Sequence, residues 1–279
     1  MPKFIFSISA IILILLFSSC ETVVDIDLET SQERLVVEAF IKWEKGTAGN
    51  EQLIKLQKTT SFFDGEIIPA TGTQVTISNE NGTTFTFSET DPGFYETTTF
   101  VPEFGASYTL SINYNNEVYE STETFFPVPE IDEVTQSIDE GFSTEDPEVN
   151  VFFTDFAGTE DFYRIFFFQN RIIDGVEEPF DMENFTYDDS FEDGSQLSDF
   201  FESELIEIGD IFNVEVYGIS EAFNNYIYLI RTQADADIGP FATPPVNVKG
   251  NLKNITTEAN YPYGYFSLME FDSETLIFQ

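Results

Sequence analysis

The chain has 279 residues, 42 % hydrophobic and 16 % aromatic, and its 51 acidic against 11 basic residues give a formal net charge of −40. So much apolar side chain excludes a disordered acidic polymer. The charge excludes nucleic acid as a partner, because phosphate backbones are repelled. Histidine is absent and cysteine occurs once, which removes histidine-based triads, histidine-ligated zinc and any intramolecular disulfide.

Lys3 precedes an uncharged, mainly apolar run, Phe4 to Phe17, of 14 residues. Spanning a bilayer takes about 17–25 apolar residues, so the run reads as an export signal. Ser18-Ser19-Cys20 follows it and is similar to a bacterial lipobox, with Phe17 where leucine is usual. The expected layout is a signal peptide over 1–19, lipidation of Cys20, and a lipidated acidic tether over 20–33. An anionic lipid surface repels such a chain, so membrane attachment would come from the lipid on Cys20.

Beyond the tether, Arg34 to Trp43 is rich in β-branched and aromatic residues and predicts a strand. Gln52 to Thr59 alternates without a clear apolar face. Thr73–Ser78 and Thr83–Ser88 flank Asn79-Glu80-Asn81-Gly82, and Asn81-Gly82 suits a two-residue type I′ hairpin loop. Asp91-Pro92-Gly93 marks another turn. Ser107–Tyr114 alternates cleanly, and Asn115-Asn116 turns it into Glu117–Thr124. About seven short strands at this spacing predict an immunoglobulin-like β-sandwich over 34–128. Pro127 and Pro129 then favour an extended connector.

A second β-rich domain with one α-helix is expected over 129–279. Val149–Thr154, Phe162–Gln169 and Ile211–Tyr217 predict strands, and Asp174-Gly175 a hairpin. Residues 177–210 hold 13 acidic residues and no basic one, and predict a long excursion loop. In the helix, near 220–234, Phe223, Tyr226, Ile227 and Ile230 recur at helical spacing. Ser220 is its expected N-cap, and Glu221 favours the positive helix end. The fold class is therefore all-β in the main.

Several segments together resemble a known family. They are Leu35-Val36-Val37-Glu38-Ala39-Phe40-Ile41, the proline-rich joint, Ser220-Glu221-Ala222, the run Gly239 to Val248, and Tyr263-Gly264-Tyr265-Phe266-Ser267. With the lipobox-like start, this is similar to Bacteroidota outer-membrane lipoproteins defined by a domain of unknown function. Those proteins resemble in setting the lipoproteins that accompany TonB-dependent receptors. The resemblance implies an envelope role, a two-part β architecture and a TonB-dependent outer-membrane receptor as partner. It carries no catalytic residue.

Hard oxygen ligands suit calcium, and Asp188, Asp189, Glu192 and Asp193 lie together in the densest acidic patch, so they are the candidate calcium ligands. Asp235-Ala236-Asp237 is a weaker second candidate. Trp43 and the tyrosines suit a sugar or peptide platform, although the alternation around Phe85, Phe87 and Tyr108 points to core positions. An enzyme built without histidine or a free thiol would need carboxylates, Ser/Lys or a metal; acids are plentiful, and a facing pair in a cleft is not something a sequence displays. The expectation is a lipid-anchored, non-catalytic outer-membrane accessory, on the cell surface in preference to the periplasmic face, that serves nutrient capture by a TonB-dependent transporter. A structural or adhesive surface protein and a carboxylate-based glycan hydrolase remain the alternatives.

Overall fold

The computed structural model describes residues 32–60, 65–138, 141–143, 145–190, 192–234 and 246–279. The expected signal peptide and Cys20 lie outside the described residues. From Glu33 to Gln279 the chain forms one compact unit. Its first half contains β1 (Leu35–Glu44), β2 (Gln52–Lys58), β3 (Ile68–Pro69), β4 (Gln74–Asn79), β5 (Thr84–Asp91), β6 (Phe94–Thr97), β7 (Ser107–Tyr114) and β8 (Glu117–Thr124). The second half contains β9 (Ile131–Ser137), β10 (Glu148–Thr154), β11 (Phe162–Ile173), β12 (Val176–Asp188), β13 (Gln196–Glu202), β14 (Ile211–Ile219), α1 (Glu221–Ala234), β15 (Lys253–Asn254) and β16 (Tyr263–Ile277).

One sheet runs β12-β11-β14-β16-β1-β2-β6-β5-β4-β7-β8-β15, with β3 on β2, and a second is β13-β10-β9. Strand β5 turns the long sheet back on itself. Its first half, with Phe85 and Phe87, pairs with β4, while Ser88 to Asp91 pair with β6 across a bulge. The first core thus lies between Val37, Ala39, Ile54 and Leu56 on one side and Val75, Ile77, Leu110 and Ile112 on the other. This is the β-sandwich that the short alternating strands predict. The unclear face of β2 is settled here, with Ile54 and Leu56 buried and Leu53 exposed.

A second core packs β9, β10 and β13 onto Tyr163, Ile165 and Phe167 of β11 and Phe212, Val214 and Val216 of β14. On the opposite face of the same strands, α1 lays Phe223 and Ile227 over Tyr217, Tyr265 and Met269. Ser220 caps this helix, its Oγ accepting the Phe223 N–H at 3.1 Å. Ile230, expected on the buried face, is exposed.

The boundary expected from sequence is 128/129; Val128 packs in the second core, and Leu252, Phe266 and Leu268 pack in the first. Strand β16 serves both, with Phe266 and Leu268 in the first core and Leu276 against the second. The connector is stitched to this strand. Glu270 accepts the Val128 N–H at 2.9 Å and Asp272 the Ile131 N–H at 2.7 Å, while Phe126 bridges Met269. A Cβ on Gly218 would collide with the Pro127 carbonyl.

Two other expectations are corrected. The loop after Asn79 is a type I turn closed by Gly82 N–H to Asn79 O at 3.0 Å, with Gly82 alone at positive φ (83°). It is the longer hairpin with a glycine bulge, because Thr83 pairs back to Asn79. Residues 177–210 are mostly strand, not an excursion. Strand β12 pairs along all of β11, but it is an edge strand exposed over most of its length, so no inward period shows in its sequence.

Gly264 allows the closure of β1 on β16. Its φ is +98°, and a Cβ would fall on the Val37 carbonyl oxygen, while Gly250 abuts Gly264 from behind. Next to it, Asn251 mimics a strand partner, accepting the Phe266 N–H at 2.9 Å and donating to the Phe266 carbonyl at 2.8 Å. Replacing Gly264 with alanine adds an unfavourable φ and a backbone collision. The expected result is a loss of about 3 kcal/mol or more, read by urea unfolding or as a failure to accumulate folded protein. Gly46→Ala, where φ is +81° but no atom lies within 4 Å, should cost only about 1 kcal/mol.

Candidate functional site

Two loops meet at one end of the second core, residues 155–161 between β10 and β11 and residues 189–195 between β12 and β13. The strand ladders bring them together. Phe162 pairs with Asp188, and one step further the Asp189 N–H donates to the Asp161 carbonyl at 3.3 Å. Thr154 pairs with Gln196, and the Asp155 N–H donates to the Ser195 carbonyl at 3.0 Å. As a result one carboxylate oxygen from each of Asp155, Asp161 and Asp189 lies within 4.8 Å of the other two.

These three acids differ in support. Asp155 is 5 % exposed, and its oxygens accept the Tyr163 hydroxyl and, at 2.9 Å, the Gly194 N–H. Asp161 is half-buried and accepts the Thr159 hydroxyl at 2.6 Å. Asp189 is 2 % exposed, and its Oδ2 is buried with no hydrogen-bond partner. Burial, then the neighbouring carboxylates, raises the pKa of both Asp161 and Asp189, against the hydrogen bonds that each accepts. Burial and the bond to Asp155 raise Tyr163 as well. None of the ion pairs among the described residues includes these acids. An all-oxygen, anionic donor set of this kind suits a hard divalent cation.

Of the four acids named from sequence, only Asp189 enters this cluster. Asp188 is engaged by Ser190, Glu192 by the Tyr187 hydroxyl, and Asp193 by the Gly158 N–H at 2.6 Å. Asp155 and Asp161 were missed because they sit in the preceding inter-strand loop. The acids that end β10 and open β11 were the available signal. Asp235-Ala236-Asp237 lies outside the described residues. Trp43 is partly buried, stacked on Phe104 at 4.7 Å and donating to the Thr47 carbonyl at 3.0 Å. Phe85, Phe87 and Tyr108 are core residues, as their alternation predicts.

A groove of about 600 Å³ opens on the outer face of the long sheet. It is lined by Phe168 and Asn170 of β11, Pro179 to Met182 of β12, and Asn213 and Glu215 of β14. Its wall is irregular for a stated reason. Asn170 pairs with Pro179 and Gln169 with Asp181, so Phe180 is an extra residue bulged out of β12. Arg171 stacks on the Phe180 ring at 3.9 Å while gripping Asp210 at 2.7 Å. Buried Asp210 also accepts from Gln169 at 2.6 Å and from the Glu207 N–H at 2.9 Å. Burial alone would raise its pKa, but these hydrogen bonds hold it below the usual carboxylate range.

Fold and site define a two-core β-sandwich protein with an acidic inter-loop cluster and an open aromatic groove. The chain belongs to the DUF4249 family, a domain of unknown function, which matches residues 21–275. No curated protein matches it. Among solved structures it is similar to a two-domain fibronectin type-III segment from chicken tenascin, at 15 % identity and a TM-score of 0.21, over 61 % of this chain and 85 % of that one. It is also similar to CBD12 from CALX1.2, at 10 % identity and a TM-score of 0.16, over 86 % of this chain and 100 % of that one. The fold is defined by the strands and their pairing.

The second core also shapes the pH response. Asp199 lies on β13 with the parity of buried Leu197 and Phe201, an inward-pointing charge on an edge strand. Burial, helped by Glu183 and opposed by the Phe200 N–H, raises its pKa to about 6. A raised carboxylate is protonated in the folded chain while the unfolded chain has already ionised. Its contribution is therefore present below about pH 4 and lost as pH rises through about 6. Asp199→Asn should flatten this decline and raise stability at pH 7 by about 1–2 kcal/mol, measured by urea unfolding across pH 4–7.

Proposed function

We propose that this protein is a lipid-anchored, non-catalytic binding component of the outer membrane that works beside a TonB-dependent receptor. In this reading the lipid on Cys20 holds it at the cell surface, and the groove between β11, β12 and β14 engages receptor or cargo. The observation that carries the binding role is the groove. It combines the apolar surfaces of Phe168, Phe180 and Met182 with the amides of Asn170 and Asn213 and the acids Asp181 and Glu215. Apolar faces ringed by a few polar groups are what a ligand or partner site requires. Phe180 and Met182 remain 39 % and 49 % exposed, so this surface is not consumed by the fold.

The anchor is supported by the position of Cys20, the sole cysteine, directly after an apolar run too short to span a bilayer. The net charge of −40 favours a tethered protein that stays clear of anionic headgroups. The absence of histidine and of any cysteine other than Cys20 narrows the routes to catalysis and favours capture over turnover.

Two measurements test this. Cys20→Ser should abolish incorporation of labelled palmitate and move the protein from the membrane to the soluble fraction. A gentle-detergent pull-down of the tagged chain from its native membrane, read by mass spectrometry, should yield a stoichiometric β-barrel receptor, and Met182→Asp should weaken that capture without lowering Tm. Elution of the chain alone would remove the receptor from this reading and favour the structural or adhesive one.

A further inference from the structure

We infer that Asp155, Asp161 and Asp189 form a calcium-binding site at the junction of the β10–β11 and β12–β13 loops. This is independent of the anchor, the groove and the receptor. Three observations carry it. The first is convergence, since each acid places a carboxylate oxygen within 4.8 Å of the other two. The second is the state of Asp189, which is 2 % exposed and has a buried Oδ2 without a hydrogen-bond partner. A buried carboxylate oxygen without a donor is costly, and a cation supplies the missing partner. The third is the electrostatic setting, in which no lysine or arginine is ion-paired to the cluster among the described residues.

The ligand chemistry favours calcium. Calcium–oxygen distances of about 2.3–2.6 Å make a shell about 4.6–5.2 Å across, whereas magnesium at about 2.0–2.1 Å makes one only about 4.0–4.2 Å across. Separations no greater than 4.8 Å fall within the calcium shell, and calcium accepts irregular oxygen geometry where magnesium demands a near-ideal octahedron. Asp155 is already oriented by Tyr163 and Gly194, and Asp161 by Thr159, so two of the three ligands are fixed before the ion arrives. Asp193, bonded to the Gly158 N–H at 2.6 Å, ties the two loops together beside the site and adds negative potential at Asp161. Water would complete the coordination, as calcium sites allow.

The test is thermal unfolding and calorimetric titration of the purified chain with calcium chloride after treatment with EDTA. Saturable binding with Kd between about 10 µM and 1 mM is expected, together with a rise in Tm of about 5–10 °C at 100-fold excess over Kd. Magnesium should produce a clearly smaller rise. Asp189→Asn and Asp161→Asn should each weaken binding at least about ten-fold, yet unfold in EDTA no lower than the natural chain, because each removes one repelling charge. Glu178→Gln, the same charge change on the exposed edge of β12, should leave the calcium response intact. An unchanged Tm at calcium about 100-fold above the upper end of that Kd range would overturn the inference. So would a response that survives both aspartate substitutions, and an equal response to magnesium would overturn the choice of ion.

Discussion

Everything in this fold depends on the parallel pairing of the first strand with the last. Strand β1 lies beside β16 in register from Val36↔Tyr263 to Glu44↔Phe271, so the chain between them acts as one long crossover. Parallel neighbours need such a connection, and here it is large enough to contain both cores. The pairing puts Phe266 and Leu268 beside Ala39 and Ile41 in the first core, and it carries β16 on to the second. Because its partners lie far apart in the sequence, the pair carries a high loop-closure cost, which favours slow folding.

This constraint explains why the inner face of β16 carries acids where apolar residues would be expected. Glu270, 3 % exposed, receives the Val128 N–H and the Lys45 ammonium, the latter at 3.2 Å. Asp272 receives the Ile131 N–H. The connector through Pro127 and Pro129 leaves the ladder between the two cores, so its amides lack strand partners. Two carboxylates restore them. An acid on the core-facing side of a strand is costly unless satisfied, and here the satisfaction turns a proline-rich joint into a fixed seam.

Much of this was legible from sequence where local chemistry decides the outcome. The alternating strands of the first core, the Asp174-Gly175 and Asn115-Asn116 hairpins and the Ser220 cap follow from side-chain period and turn preference. The residues Tyr263 to Ser267 could be singled out, but their role could not, because Gly264 acts through a carbonyl of β1 and Asn251 through the backbone of Phe266. Strand β12 was illegible for another reason. Paired on one side only and exposed on most of its surface, it has no buried face to impose a period. The acidic cluster escaped because its members become neighbours only through strand register, which a single sequence does not display.

Strand β12 ties the candidate sites to one another. Its C-terminal end runs directly into Asp189, and its middle forms the groove wall at Pro179 to Met182. At about 3.3 Å per residue the two lie roughly 20–30 Å apart along the same strand. An edge strand has one ladder to hold it, and the Phe180 bulge interrupts that ladder. Its position rests on that ladder and on its ends, where the hairpin to β11 holds one and the Asp155, Asp161 and Asp189 junction meets the other. Three carboxylates repelling one another loosen that junction, and a counter-charge tightens it. The groove wall is thus part of a strand that ends at a junction of like charges, in a chain with few cations of its own to supply the balance.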